Sequence, residues 1–188
     1  LLNIEDKSIV FSSQELPRLA ENVMAIVSYS CYFPEDSNSK DLFKSLINKE
    51  NLAKSLLQQR FKQNIQNNNK IGFINHYNTF DRYIFNLLSE DLKFMDPQQR
   101  KLLELTWHTF EFAGIDPQNI KDKDIGVFIG LQFDDYQKLL SKAGQNFVSG
   151  ITGNAKSFAS NRISFTFDLN GPSETIDTAC SSSLTAMH

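Results

Sequence analysis

A helix with clear start and stop signals, near the middle of the chain, restricts the fold more than any other feature. It begins M-D-P-Q-Q-R-K-L-L-E-L, with Asp96 as the predicted N-cap and Pro97 at the first helical position, where a missing N–H costs no hydrogen bond. Gln99 stands where a capping box would return its side chain to the N-cap backbone. Gly114 ends the apolar pattern. We therefore predict a helix over about residues 97–113.

Short apolar segments alternate with this helix and with other helical segments. Strands are predicted at residues 23–28, 125–129, 163–169 and 173–178. The third prediction rests on alternation, because every second residue from Ile163 to Leu169 is apolar. Further helices are predicted to begin near Ser39 and Asp134, and a short one after Cys180. Alternating helices and strands indicate an α/β fold.

Length and charge exclude several classes of protein. The chain has 188 residues, 40% of them hydrophobic, which predicts one globular domain. Its net charge is −3, so the chain lacks the excess of basic residues that nucleic-acid-binding proteins have, and nucleic acid is not an expected partner. The apolar runs are far shorter than the roughly 20 residues that span a bilayer, which argues against a membrane protein.

The N-terminal residues and the two cysteines indicate the cellular compartment of the protein. Residues 1–21 are interpreted as a leader with no clear period, and they lack the basic flank and apolar block of a signal peptide. The two cysteines, Cys31 and Cys180, are therefore predicted to be free thiols in a reducing, cytoplasmic setting.

The segment D-T-A-C-S-S-S-L, from Asp177 to Leu184, is the candidate catalytic sequence. A cysteine between a strand and the start of a helix lies near backbone N–H groups that have no partner within the helix, and these can stabilise a thiolate and an oxyanion. The alternative is that Cys180 is a small buried residue at a strand end. No histidine or aspartate is visibly paired with it, so the pattern alone leaves both interpretations open.

Other cofactor and metal sites are not indicated. The three histidines, His76, His108 and His188, lack metal-ligand spacing, and the sequence contains no phosphate-binding loop and no G-x-G-x-x-G motif. We expect no metal and no directly bound cofactor.

Several motifs, in order along the chain, resemble the β-ketoacyl synthase (ketosynthase) domains of polyketide synthases. These are M-D-P-Q-Q-R, G-V-F-I-G, A-S-N-R-I-S-F, G-P-S and D-T-A-C-S-S-S-L-T-A-M-H. The resemblance covers about residues 22–188. It implies a thiolase-like layered fold, of which this chain is the N-terminal half, and a homodimer formed through the strand near Glu174–Thr178.

The resemblance also implies a chemistry. Cys180 corresponds to the family's nucleophile, which takes an acyl chain from the phosphopantetheine arm of an acyl carrier protein. A malonyl-type unit is then decarboxylated, and its carbanion attacks the acyl-enzyme in a Claisen condensation. The backbone N–H of Cys180 would be one oxyanion donor.

The chain lacks the two histidines and the lysine that the family places after the cysteine, one of them in an H-G-T-G-T-like motif. We therefore expect a condensing domain that is truncated after its nucleophile, with activity that depends on residues not in this sequence. Two alternatives remain at this point. One is a non-catalytic fragment that pairs with intact ketosynthases, and the other is a fatty-acid synthase condensing domain.

Overall fold

The computed structural model describes residues 24–34, 39–55, 70–120, 124–143 and 151–188. The predicted leader, residues 1–21, lies outside these ranges. The helices and strands, in chain order, are α1 Ser39–Ile47, β1 Lys54–Ser55, β2 Lys70–Ile71, α2 Ser89–Phe94, α3 Pro97–Phe112, β3 Val127–Gly130, α4 Asp135–Lys142, α5 Ile151–Asn154, α6 Phe158–Thr166, β4 Ser173–Ile176, a 3₁₀ turn Ala179–Ser181, and α7 Ser182–Met187.

The strands that position the site are β3 and β4, which pair in parallel. Val127 is opposite Ser173, and Gly130 is opposite Ile176. Parallel neighbours need a crossover connection, and here it contains α4, α5 and α6. Both α6 and α7 pack on this strand pair, and α3 packs on α6. The predicted α/β class is present as helices layered on a small parallel sheet.

The core lies between α3, α6 and the strand pair. Its buried apolar residues are Phe85, Met95, Leu103, Ile120, Val127, Ile163, Phe167 and Leu169. Aromatic rings form its centre: Phe167 contacts Phe110 edge-on at 5.4 Å between centroids and Phe85 at 6.4 Å. Such edge-to-face pairs add to the free energy gained by burying the rings.

Six predicted elements are confirmed with small shifts at their ends, among them the short helix after Cys180, which is α7. Helix α3 and its N-cap are as expected, α4 begins one residue after Asp134, and α1 begins at Ser39. Strand β3 begins and ends slightly later than predicted, and β4 ends at Ile176 because the next two residues enter a turn.

The strand predicted at 163–169 is wrong, because most of this segment belongs to α6. The buried apolar residues of α6 and its C-cap, Ala159, Ile163 and Phe167, recur every fourth position, which is the spacing of one helix face. Phe165, which the alternation had placed with them, is 89% exposed. Asp168 has a φ of 54° and ends the helix in the left-handed conformation.

The strand predicted at 23–28 is also wrong for the residues that the structure describes, 24–28. These residues have no regular secondary structure, and Met24, Ile26 and Val27 are exposed rather than buried. A strand needs a neighbour to satisfy its backbone groups, and none pairs with this segment within the described ranges.

The N-terminus of α3 is held by bonds that the sequence did not indicate. The Asp96 carboxylate accepts the Gln98 N–H at 2.7 Å, as an N-cap should. The Asp96 N–H, however, donates to the Gly153 carbonyl at 2.9 Å. The predicted capping box is therefore wrong, because the Asp96 N–H and the Gln99 side chain both bond to the α5–α6 segment instead. Burial raises the pKa of Asp96 above its usual range, against the opposing effect of its bonds from Gln98.

Gln99 joins α3 to the segment around α5 and α6. Its Oε1 accepts from Arg162 Nε at 2.9 Å, and its Nε2 donates to the Ala155 carbonyl at 3.4 Å. Arg162 also donates to the Thr152 carbonyl at 2.7 Å. We call these bonds, with those of Asp96, the cap network. They fix the chain between α5 and α6 against α3.

Candidate active site

Cys180 lies in a tight turn between β4 and α7, as predicted. We call residues Asp177–Ser182 the cysteine turn. Ala179, directly before the cysteine, has a φ of 55°, a left-handed conformation that costs a non-glycine residue about 1–2 kcal/mol. Ala179 begins the 3₁₀ turn, and Cys180 is its second residue, four positions after the last residue of β4.

The serines after the cysteine stabilise the turn. Ser182 is buried, and its Oγ accepts the Thr178 N–H at 2.9 Å while donating to the Ala179 carbonyl at 2.7 Å. The Ser181 hydroxyl lies 2.9 Å from the Thr178 carbonyl and can donate to it. The run of three serines had been read as the start of a helix. Two of them also close the turn that presents Cys180.

A glycine at the end of β3 lets α7 approach the strand. A Cβ at Gly130 would lie 2.8 Å from the Ser183 nitrogen and 2.9 Å from the Ser182 carbonyl carbon, and neither backbone atom can move independently. The last glycine of G-V-F-I-G therefore sets the distance between β3 and the beginning of α7. Its role in the site could not be read from spacing.

Asp177 connects the cysteine turn to a residue far back in the chain. One carboxylate oxygen accepts the Ala179 N–H at 3.2 Å, and the other accepts from Lys156 Nζ at 2.7 Å. The Lys156 bond, followed by the bond from Ala179, lowers the pKa of Asp177, so this carboxylate is ionised at neutral pH. Lys156 is not predicted from the sequence, because nothing in a local motif relates it to a carboxylate beyond the next helix.

The thiol itself is open to a reactant. Cys180 is exposed and Cys31 is partly buried, and both are free thiols, so the prediction of unpaired thiols is confirmed. The alternative in which Cys180 is a buried residue is wrong in this structure. Within the cysteine turn, the Thr178 N–H donates to Ser182 Oγ and the Ala179 N–H donates to Asp177 Oδ1, so these two donors are already used by the turn itself. An exposed, unpaired thiol in a strand–turn–helix connection is accessible for attack on an acyl carbonyl.

Apolar side chains near the cysteine face outward. On α7, Leu184 is 71% exposed and Met187 61% exposed. A cleft of about 600 Å³ lies elsewhere, between Trp107, Ile120 and Phe167, and none of its lining residues belongs to the cysteine turn. That cleft is a feature of the core edge.

Metal and membrane sites are not seen in the ranges that the structure describes. No group of three or more histidine, cysteine or acidic side chains there could hold a metal ion. None of the helices in those ranges combines the length and apolar character needed to cross a bilayer.

The fold is similar to solved ketosynthases. The ketosynthase from module 6 of the bacillaene synthase of Bacillus subtilis 168 superposes with a TM-score of 0.74 and 29% sequence identity, over 87% of this chain and 27% of that one. The oxazolomycin ketosynthase domain OzmH KS7 of Streptomyces albus superposes with a TM-score of 0.73 and 26% identity, again over 87% of this chain. The fold is therefore thiolase-like, and this chain contains part of it.

Sequence comparison gives the family. Residues 21–188 match the family described as beta-ketoacyl synthase, N-terminal domain. The chain is 34% identical over 186 residues to polyketide synthase ThaG of Burkholderia thailandensis, which covers 91% of this chain and 3% of that synthase. It is 35% identical over 181 residues to the 6-methylsalicylic acid synthase of Aspergillus terreus, covering 89% of this chain and 10% of that one.

The chain belongs to the β-ketoacyl synthase family, and it represents the N-terminal part of a polyketide synthase ketosynthase domain. This family is one of acyl-group transferases. The chain spans only a small fraction of the synthases it matches. The fatty-acid synthase alternative is not better supported, since these relatives are polyketide synthases.

Proposed function

We propose that Cys180 is the acyl-accepting nucleophile of a polyketide synthase condensing domain. The observation that carries the proposal is an exposed, unpaired thiol in a strand–turn–helix connection, within a chain of the ketosynthase family. The thiolate attacks the carbonyl of an acyl thioester, and the backbone N–H of Cys180 donates to the developing oxyanion. The new bond joins Sγ to the acyl carbon, and the carrier thiolate leaves and takes up a proton.

Extension of the loaded chain is proposed for the whole protein, not for these residues alone. A malonyl-type thioester loses CO₂, and the resulting carbanion attacks the acyl carbonyl on Sγ, which expels the Cys180 thiolate. The family resemblance assigns decarboxylation and condensation to two histidines and a lysine that this sequence does not contain. Acyl loading is therefore the step that this chain can be tested for.

The partners follow from the same proposal. We propose an acyl carrier protein with its phosphopantetheine arm as donor, in a cytoplasmic setting, and a homodimer formed near Glu174–Thr178. Strand β4 pairs with β3 along one edge, and Glu174 on β4 is exposed. These features are compatible with a partner at the other edge. Residues 22–188 would then form the ketosynthase portion, and residues 1–21 would precede it as a leader.

The loading step has a direct test with an internal control. The full-length protein is incubated with an acyl thioester, and the mass of each cysteine-containing peptide is measured. We expect the acyl group on Cys180, a complete loss of labelling in Cys180→Ala, and unchanged labelling in Cys31→Ala. Equal acylation of the Cys180→Ala protein would remove the assignment.

The non-catalytic alternative gives a different role to the exposed apolar side chains of Leu184 and Met187. Exposed apolar surface of this kind often marks an interface. Under this alternative the chain pairs with intact ketosynthases and accepts no acyl group. Co-purification with an intact ketosynthase, together with an unlabelled Cys180, would favour it over the loading proposal.

A further inference from the structure

The conformation of the cysteine turn depends on one strained residue. Ala179 holds a φ of 55° directly before Cys180. A non-glycine residue leaves this conformation unless neighbouring bonds hold it there. Its carbonyl is held by the Ser182 hydroxyl at 2.7 Å, which lies within the turn itself. Its N–H is held by the Asp177 carboxylate at 3.2 Å.

The Asp177 carboxylate is oriented from outside the turn. Lys156 Nζ donates to Oδ2 at 2.7 Å, which leaves Oδ1 directed at the Ala179 N–H. Both side chains are partly exposed, at 33% for Lys156 and 40% for Asp177. Lys156 also experiences the charge of Asp134, but that carboxylate pairs with Lys138 at 2.8 Å. Asp177 is therefore the carboxylate to which Lys156 is bonded.

The backbone around Lys156 is held by hydrogen bonds. The carbonyl of its neighbour Ala155 accepts from Gln99 in the cap network, and its own carbonyl accepts the Ala159 N–H at 3.0 Å at the start of α6. Because its backbone is fixed, the Lys156 side chain can hold the Asp177 carboxylate in one position. The cap network and the cysteine turn are joined through this one ion pair.

We propose that Lys156 is a positioning residue for Cys180, acting through Asp177 to hold the cysteine turn in the conformation that presents the thiol. The inference rests on the proposed function, since it assigns Lys156 to the acyl-loading step. Lys156 does not contact the reacting atoms. It keeps Ala179 in the left-handed conformation, and thereby keeps the Cys180 thiol exposed at the turn.

The test measures the alkylation of both cysteines in one experiment. The full-length protein is treated with limiting iodoacetamide, and the rates at Cys180 and Cys31 are followed by peptide mass spectrometry. In Lys156→Gln we expect the Cys180 rate to fall about three- to fivefold, the range of an exposed ion pair, with Cys31 unchanged. Lys156→Arg retains the charge and should stay within about twofold of the wild type. Parallel changes at both cysteines would indicate general loosening and would overturn the proposal.

A double-variant cycle separates positioning from simple charge. Since Lys156 acts through Asp177, Lys156→Gln should have no further effect in an Asp177→Asn background. The proposal is contradicted if Lys156→Gln lowers the Cys180 alkylation rate as much in the Asp177→Asn background as in the wild type. It is also contradicted if the single Lys156→Gln variant is alkylated at Cys180 as fast as the wild type. Loading from an acyl-N-acetylcysteamine thioester is measured on the same variants. If the wild type does not load, the proposed function fails, while the alkylation rates still decide the role of Lys156.

Discussion

The cap network and the cysteine turn are built in opposite ways. The cap network joins residues that lie far apart in the chain, such as Gln99 and Arg162, and its side chains are largely buried. The cysteine turn is held mainly by bonds between residues four or fewer positions apart, and Cys180 is exposed. Stability is therefore concentrated at α3 and α6, while the turn combines a local scaffold with an open surface. A reactive thiol needs that openness.

The largest expected effect comes from weakening the core beneath the cap network. Leu103 on α3 is 0% exposed, so Leu103→Ala removes packed atoms and leaves a cavity. We expect a loss of about 2–5 kcal/mol in the free energy of unfolding, measured by urea denaturation. Phe165→Ala on α6 is the control, because that ring is exposed, and it should change stability by less than about 0.5 kcal/mol. Similar losses in both variants would contradict the described core.

The next largest effect concerns the contact between Gly130 and the beginning of α7. Gly130→Ala places a Cβ against the backbone of Ser182 and Ser183, so α7 must shift. We expect a loss of about 1–3 kcal/mol, together with reduced acyl loading at Cys180. Gly126→Ala is a matched control, since its Cβ would come too close only to the Phe128 ring, at 2.7 Å, and would lie at an ordinary contact distance of 3.5 Å from the Pro172 carbonyl oxygen. The half-exposed Phe128 ring can rotate away. Equal loss of loading in both variants would show that α7 is not seated on Gly130.

The two regions should also respond to pH with opposite signs. The pKa of Asp96 is raised, so its contribution to stability is complete below the unfolded value of about 4 and is lost as pH rises through the folded value. The pKa of Asp177 is lowered, so its contribution is present above about pH 4 and is lost as pH falls through the folded value. Unfolding is measured between about pH 3 and 6 for wild type, Asp96→Asn and Asp177→Asn. The stability difference between wild type and variant should fall with rising pH for Asp96 and rise for Asp177, and slopes of one sign would refute this contrast.

The smallest effect sharpens the comparison at Ala179. Ala179→Gly relieves the left-handed conformation but increases the backbone entropy of the unfolded chain, so the net change should be neutral or stabilising by up to about 1 kcal/mol. Ala186→Gly within α7 has no such strain to relieve and should cost about 1 kcal/mol. Thermal denaturation of the two variants measures the difference. A clear destabilisation by Ala179→Gly would mean that the turn is not strained.

The sequence predicts those parts that local signals specify. Helix α3 was found because Asp96, Pro97 and Gly114 mark its ends, and Cys180 because a motif of contiguous residues surrounds it. Helix α6 was missed because alternating apolar residues fit a strand as well, and only packing against α3 decides which of them are buried. The bond between Lys156 and Asp177 could not be predicted, because it depends on the tertiary arrangement of two loops.

The parallel pairing of β3 and β4 also has a consequence for the order of folding. Val127 meets Ser173 only after the whole crossover has been placed, which carries a large loop-closure entropy and raises the contact order. The cysteine turn is anchored by two non-local contacts, the Lys156–Asp177 bond and the packing of Ser182 and Ser183 on Gly130, so we expect it to reach its native position late. In refolding with pulsed alkylation, Cys31, against α3, should acquire its native labelling rate before Cys180 does, and the reverse order would exclude this sequence of events. Cys180 would then reach its native environment only after β3 and β4 have paired.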